Sequence, residues 1–189
     1  MNDVFVGRVS IRAKYKMPNY RRYYIPNSIY FITTVTNKRL PIFKDSKNIQ
    51  ILFNTLKTVR HIKQFDLVAY CLLYDHLHLL IGINEECKYD ITNVIHSLKR
   101  NFTINYKKIY KITHEVNLWQ KRFWDHIIRN ENDFKKHMDY IHYNPVKHGI
   151  TLKPEEYKYT SFNKWVENGF YEKGWGHSEP FDLTDIEFE

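Results

Sequence analysis

The sequence predicts an α+β fold in which an antiparallel sheet carries helices on one face. Three observations point there. Short β-branched and aromatic runs alternate with long segments whose apolar residues recur at helical spacing. The stretch between Pro41 and Pro145 contains no proline and one glycine, Gly82, which leaves no room for an interdomain linker. The elements also follow the order β-α-β-β-α-β-α.

Each element has its own signal. Ile29–Thr36 (IYFITTVT) reads as a strand because branched and aromatic side chains suit a pleated, half-buried surface. Ser46–Ile62 reads as a helix: Ile49, Leu52, Phe53, Leu56 and Val59 fall on one face, with Ser46 as the N-cap. Phe65–Leu73 and Leu77–Ile83 read as two strands joined by a tight turn at Tyr74-Asp75. Asp90–Tyr110 is helical by Val94, Ile95, Leu98, Phe102 and Ile104. A short strand follows around Arg122–Ile128. The last helix runs from about Asn132 to Tyr143 and stops before Pro145, because a residue preceding proline avoids the α region. This order matches the split-βαβ arrangement of the ferredoxin-like (RRM-like) fold. Such a fold hosts many activities and decides none of them.

Composition narrows the class. The chain has 189 residues, 43% hydrophobic and 16% aromatic, which excludes a disordered or low-complexity protein and allows one sizeable core. No apolar run reaches the roughly 18 residues needed to span a bilayer, and no apolar segment in the first twenty residues signals secretion. Two cysteines, Cys71 and Cys87, cannot build a disulfide framework or a four-cysteine zinc site, and a reducing cytoplasm is the expected location. The expected organisation is a basic extension over 1–17, one domain over 18–177 and an acidic tail over 178–189.

Charge points to a polyanion. The net charge is +8, but residues 178–189 carry five acids and no base, so the rest of the chain stands at +13. A basic, aromatic-rich body suits nucleic acid, whose bases stack while its phosphates pair with Lys and Arg. Tyr20, Arg21, Arg22, Tyr23 and Tyr24 interleave stacking surfaces with charge, and Lys121, Arg122, Phe123 and Trp124 repeat the mixture; for this second cluster the plain alternative is stronger, with Phe123 and Trp124 in the core and the charges merely solvated. Lys99, Arg100, Lys107, Lys108 and Lys111 read as a solvated helical surface. The tail is either disordered or lies over the basic cleft as a nucleic-acid mimic.

Two features could do chemistry. In DHLHLLIGI, His76 and His78 share one face of a strand about 7 Å apart, while Leu77 and Leu79 face the opposite way. Two imidazoles so placed can converge on one divalent ion, although in a chain with ten histidines the bare pattern also fits two half-exposed strand residues. Tyr140 and Asn144 lie one helical turn apart and face the same way, an arrangement that ordinary packing also produces. Together they make a reaction. A phenol with a pKa of about 10 costs roughly 4 kcal/mol to deprotonate at pH 7. An ion on His76, His78 and the Asn144 amide oxygen would neutralise a phosphodiester oxygen and orient the phosphorus for attack by Tyr140. Two nitrogens and one oxygen suit Mg²⁺ or Mn²⁺.

The motifs Asn19–Tyr24 (NYRRYY), His76-Leu77-His78, Trp119–Arg129 (WQKRFWDHIIR) and Asp139–Gly149 (DYIHYNPVKHG), in this order, resemble the REP-associated tyrosine transposases. These are single-tyrosine HUH nucleases related to insertion-sequence transposases. The resemblance runs from about Pro18 to Gly176 and includes Tyr159–Phe162 (YTSF) and Gly174-Trp175-Gly176. It implies an HUH endonuclease core on the ferredoxin-like sheet that cuts single-stranded DNA beside a palindromic hairpin, keeps the 5′-phosphate on Tyr140 and leaves a 3′-hydroxyl. By position it implies His76 and His78 as metal ligands, Asn144 as the third ligand, and the Tyr20-Arg21-Arg22 arm as a contact to the foot of the hairpin. Tyr23, Lys121, Arg122, Arg129 and Lys147 complete the expected DNA contacts. One departure stands out: Leu73-Tyr74-Asp75 replaces the family's proline-containing turn before the first histidine.

The expected partner is single-stranded hairpin DNA, bound by a monomer, with a homodimer as the alternative. A non-catalytic DNA- or RNA-binding regulator on the same fold is the runner-up. A metal hydrolase that dispenses with Tyr140 ranks third, since no further His/Asp cluster stands next to His76 and His78 in the sequence.

Overall fold

The structure is a computed structural model; it describes residues 27–176, 178 and 180, and the backbone of 5–6 and 9–10. The basic arm with Tyr20, Arg21, Arg22 and Tyr23 lies outside the described residues, as does the acidic tail apart from Ser178 and Pro180. Near the start, β1 (Phe5–Val6) pairs antiparallel with β2 (Val9–Ser10).

The body follows the predicted order. It consists of β3 (Ser28–Val35), α1 (Ser46–Lys63), β4 (Asp66–Leu72), β5 (His76–Ile83), α2 (Ile91–Tyr110), β6 (Trp124–Ile127) and α3 (Glu131–Lys147), followed by a short α4 (Phe162–Glu167). The four strands form one sheet in the order β4-β5-β3-β6, with every neighbouring pair antiparallel. This is the strand order of the split-βαβ fold: the two strands that precede helices α1 and α2 lie side by side at the centre. Central β5 reads HLHLLIGI and is buried along its whole length.

Burial on both faces of β5 requires two covering layers. Leu77, Leu79, Ile81 and Ile83 pack with Tyr30 and Ile32 under Leu52 and Leu56 of α1 and Val94, Leu98 and Phe102 of α2. On the opposite face Leu80, Ile29 and Phe31 pack under Phe134, Met138, Tyr140 and Ile141 of α3, with Phe162 and Trp165 of α4. The expectation of helices on one face thus holds for α1 and α2, and α3 supplies a third layer on the other. The reason is the sheet itself, whose second face carries Ile29, Phe31 and Leu80 and would otherwise expose large apolar side chains. A bulge at Val68 in β4 turns two consecutive residues, Val68 and Ala69, toward that face.

Helix ends differ from the sequence reading in two places. The N-cap of α1 is Asp45, whose carboxylate accepts from Lys47 N–H at 2.8 Å, and Ser46 is the first helical residue. Helix α3 does not stop before Pro145 but runs through it to Lys147. The turn holds because His148 N–H donates to Asn144 O at 3.0 Å and Ile150 N–H to Pro145 O at 2.9 Å. Asn144, Lys147 and His148 therefore stay in helical register with Tyr140.

Candidate active site

Strand β5 begins at the site. Its alternation places His76 and His78 on the face covered by α3, and both rings are buried, with centroids 4.8 Å apart. The Asp75 carboxylate accepts a 2.6 Å bond from His76 Nδ1–H and is itself held by Arg39 at 3.3 Å. Burial works to raise the Asp75 pKa, but the hydrogen bonds from His76 and Arg39 outweigh it and hold the carboxyl below its ordinary value. A proton kept on Nδ1 leaves the lone pair of His76 on Nε2, the nitrogen that could hold an ion. Thr33, the cross-strand neighbour of His78, places its hydroxyl 2.9 Å from His78 Nδ1 and serves the same purpose. The departure at Leu73-Tyr74-Asp75 does not open the turn: Leu73 N–H donates to His76 O at 2.8 Å without a proline.

Helix α3 covers this pair. The Tyr140 ring stands edge-on to His78 at 5.2 Å and to Phe31 at 5.8 Å. Lys147, two turns further along, brings its Nζ to 5.0 Å from the Tyr140 ring centroid. Asn144 is fully buried, and among the described residues neither its Oδ1 nor its Nδ2 has a hydrogen-bond partner. A buried amide left in that state costs about 1–3 kcal/mol, a cost that a ligand on the oxygen would offset. His148, one turn beyond Asn144, meets the His76 ring at 5.2 Å; its i+4 and i+8 spacing from Asn144 and Tyr140 was the readable signal.

Of the anticipated residues, His76, His78, Tyr140 and Lys147 thus come together, and Asn144 lies one turn from Tyr140 on the same helix. Lys121, Arg122 and Arg129 are exposed and flank edge strand β6. Lys99 departs from the solvated surface expected of it: it is buried, and its ammonium donates to Gln120 O at 2.6 Å, tying α2 to the segment before β6. Burial lowers its pKa.

A His/Asp cluster that the sequence reading did not single out lies apart from the histidine pair, between β6 and α3. His126 of β6 and Asp133 and His137 of α3 hold their ligand atoms within 4.8 Å of one another, close enough to share a metal ion. The Asp133 carboxylate meets His126 Nε2 at 2.9 Å and His137 Nδ1 at 3.1 Å, and it accepts from Arg129 N–H at 2.8 Å. Burial opposes ionisation there, but these bonds outweigh it and hold Asp133 well below the usual carboxylate range. The two imidazoles stack at 4.6 Å and His137 Nδ1 also meets Asp133 O at 2.8 Å, so the group as it stands is a hydrogen-bonded stack around a carboxylate. Sequence spacing could not reveal it because His126 lies on another element.

Comparison with known proteins places the chain. Residues 24–144 match the family of IS200-like transposases. A relative from Haemophilus influenzae named as a REP-associated tyrosine transposase is 34% identical over 170 residues, spanning 85% of this chain and 94% of its own length. The REP-associated tyrosine transposase of Escherichia coli K12 is 31% identical, spanning 90% and 95%. The chain belongs to the REP-associated tyrosine transposases. A solved structure of such a transposase bound to a REP hairpin superposes with a TM-score of 0.72 at 29% identity, covering 91% of this chain and 96% of that one. This transposase therefore carries His76, His78 and Tyr140 inside the matched region, on the face between β5 and α3. No helix among its described residues is long and apolar enough to cross a membrane.

Proposed function

We propose that the transposase nicks single-stranded DNA beside a REP-like palindromic hairpin and becomes joined to it through Tyr140. The phenol oxygen attacks the scissile phosphorus; the Tyr140 Oη–P bond forms as the P–O3′ bond breaks. The phenol proton passes to water, the departing oxygen takes one up, and the products are a 5′-phosphotyrosine and a 3′-hydroxyl. The bond energy is retained in the adduct, so the 3′-hydroxyl of another strand can reverse the step and complete transfer.

The residues fit a divalent ion, Mg²⁺ or Mn²⁺. His76 and His78 would hold it, each with Nδ1 engaged by Asp75 or Thr33, and the Asn144 amide, without a hydrogen-bond partner among the described residues, would supply the oxygen. Bound there, such an ion neutralises a non-bridging phosphate oxygen and orients the phosphorus. Lys147 adds one positive charge beside the phenol and the arriving phosphate. The hairpin itself is inferred from the relative bound to one, and from the exposed Lys121, Arg122 and Arg129 on this chain. The approach of the Tyr140 ring to His78, 5.2 Å, is the single observation that most supports nucleophilic chemistry over mere DNA affinity.

A labelled single-stranded hairpin oligonucleotide incubated with the protein and Mn²⁺, then run on a denaturing gel, tests this reading. A labelled band at protein size is expected, absent with Tyr140→Phe and with chelator. A shift on a native gel without any adduct would identify a binding regulator. Cut DNA with no adduct, indifferent to Tyr140→Phe, would identify a hydrolase. Either outcome overturns the proposal.

A further inference from the structure

We propose that Trp124 is a stacking platform for one unpaired nucleobase of the DNA strand entering the active site, and so sets which phosphate reaches Tyr140. The inference rests on the DNA-cleaving function proposed above. Strand register carries it. Thr33 pairs with His78 on one side and with Trp124 on the other, so the three residues form one row across β5, β3 and β6 and present side chains to the same face. Strands lie about 4.8 Å apart, which puts the Trp124 backbone about 10 Å from that of His78. Three stacked nucleotides cover that span at about 3.4 Å each.

Trp124 is also accessible where the two core tryptophans are not. It lies on edge strand β6 and is 37% exposed, whereas Trp119 and Trp165 are buried in the core and the adjacent Phe123 packs against it. Lys121, Arg122 and Arg129 flank the strand with exposed positive charge, the combination of backbone attraction and π-surface that binds single strands. The ring is braced from behind. Trp124 stacks on His126 at 5.9 Å and 15°, His126 stacks on His137 at 4.6 Å, and Asp133 bonds both imidazoles. Phe31 touches Trp124 edge-on at 5.7 Å and stacks on His78 at 5.6 Å, linking the platform to the metal-ligand pair. The His126–Asp133–His137 cluster thereby fixes an aromatic face at a set distance from the reacting phosphate.

The test is a double-mutant cycle in DNA binding. A fluorescent hairpin oligonucleotide with a single-stranded flank is titrated with wild type, Trp124→Ala and Trp124→Phe, using intact flanks and flanks with one abasic site moved through the six nucleotides around the cut. Trp124→Ala should weaken binding about 5- to 150-fold, and Trp124→Phe should restore most of it. One abasic position should cost wild type a similar factor and cost Trp124→Ala nothing more. Thermal melting of both variants confirms that they fold. Unchanged affinity in Trp124→Ala, or abasic losses that add to it at every position, would overturn the platform. Adduct formation at saturating DNA is read separately: its absence in wild type refutes Tyr140 chemistry and leaves the stacking result standing.

Discussion

His142 should make this protein acid-sensitive in a window where carboxylates do not yet titrate. It sits on α3 between Tyr140 and Asn144, fully buried, with Nε2 2.8 Å from Ser161 Oγ and Nδ1 3.1 Å from Tyr171 Oη. Burial pushes its pKa down to about 3. The folded state therefore refuses a proton that the unfolded chain accepts near pH 6.5. Because the folded pKa lies below the unfolded one, this contribution is complete above pH 6.5. It declines by about 1.4 kcal/mol per pH unit as pH falls toward 3. Between pH 7 and pH 5 the loss comes to about 2 kcal/mol, a large part of the 5–15 kcal/mol typical of a domain. Urea unfolding followed at both pH values, for wild type and for His142→Gln, isolates this residue from the other nine histidines. Glutamine can keep hydrogen bonds to Ser161 and Tyr171 but cannot titrate. The variant should be less stable at pH 7 and should lose about 2 kcal/mol less than wild type on going to pH 5. Equal losses in the two proteins would refute the assignment of His142 as a buried neutral imidazole.

Further outcomes follow from single contacts. Asp75→Ala removes the acceptor that orients His76 and should raise the Mn²⁺ concentration needed for cleavage 10- to 100-fold, read as a shift in the Mn²⁺ titration midpoint. Tyr157→Phe leaves Leu72 O without the 2.6 Å bond from the buried phenol and should cost about 1–3 kcal/mol by urea denaturation. Asp90→Ala removes the N-cap of α2, whose carboxylate accepts from Asn93 N–H at 2.7 Å, and should cost about 1 kcal/mol in the same assay.

Local rules made much of the site readable. Alternation along a strand put His76 and His78 on one face, and 3.6-residue periodicity put Tyr140 and Asn144 on another, because both depend only on near neighbours in the chain. Pro145 misled because its rule describes an average: the helix continues past it through the ordinary i→i−4 bond from His148 N–H to Asn144 O, with Ile150 N–H capping Pro145 O. The C-terminal caps Gln64 and Lys111 took left-handed conformations at φ 55° without a glycine to announce them. Lys99 looked like a surface lysine until Gln120 O, 21 residues away, turned out to be its acceptor.

The sequence by itself determined the order of elements, the faces of each strand and helix, and the chemistry that its histidines, tyrosine and asparagine can support. Only the tertiary structure decided that α3 lies on the side of the sheet opposite α1 and α2, and so against the imidazoles. That choice is global: β5 is buried on both faces, and which helix covers which face depends on burying all of the sheet at once. The same packing assembled His126, Asp133 and His137, and aligned Trp124 with His78 across Thr33, from elements that no local pattern connects.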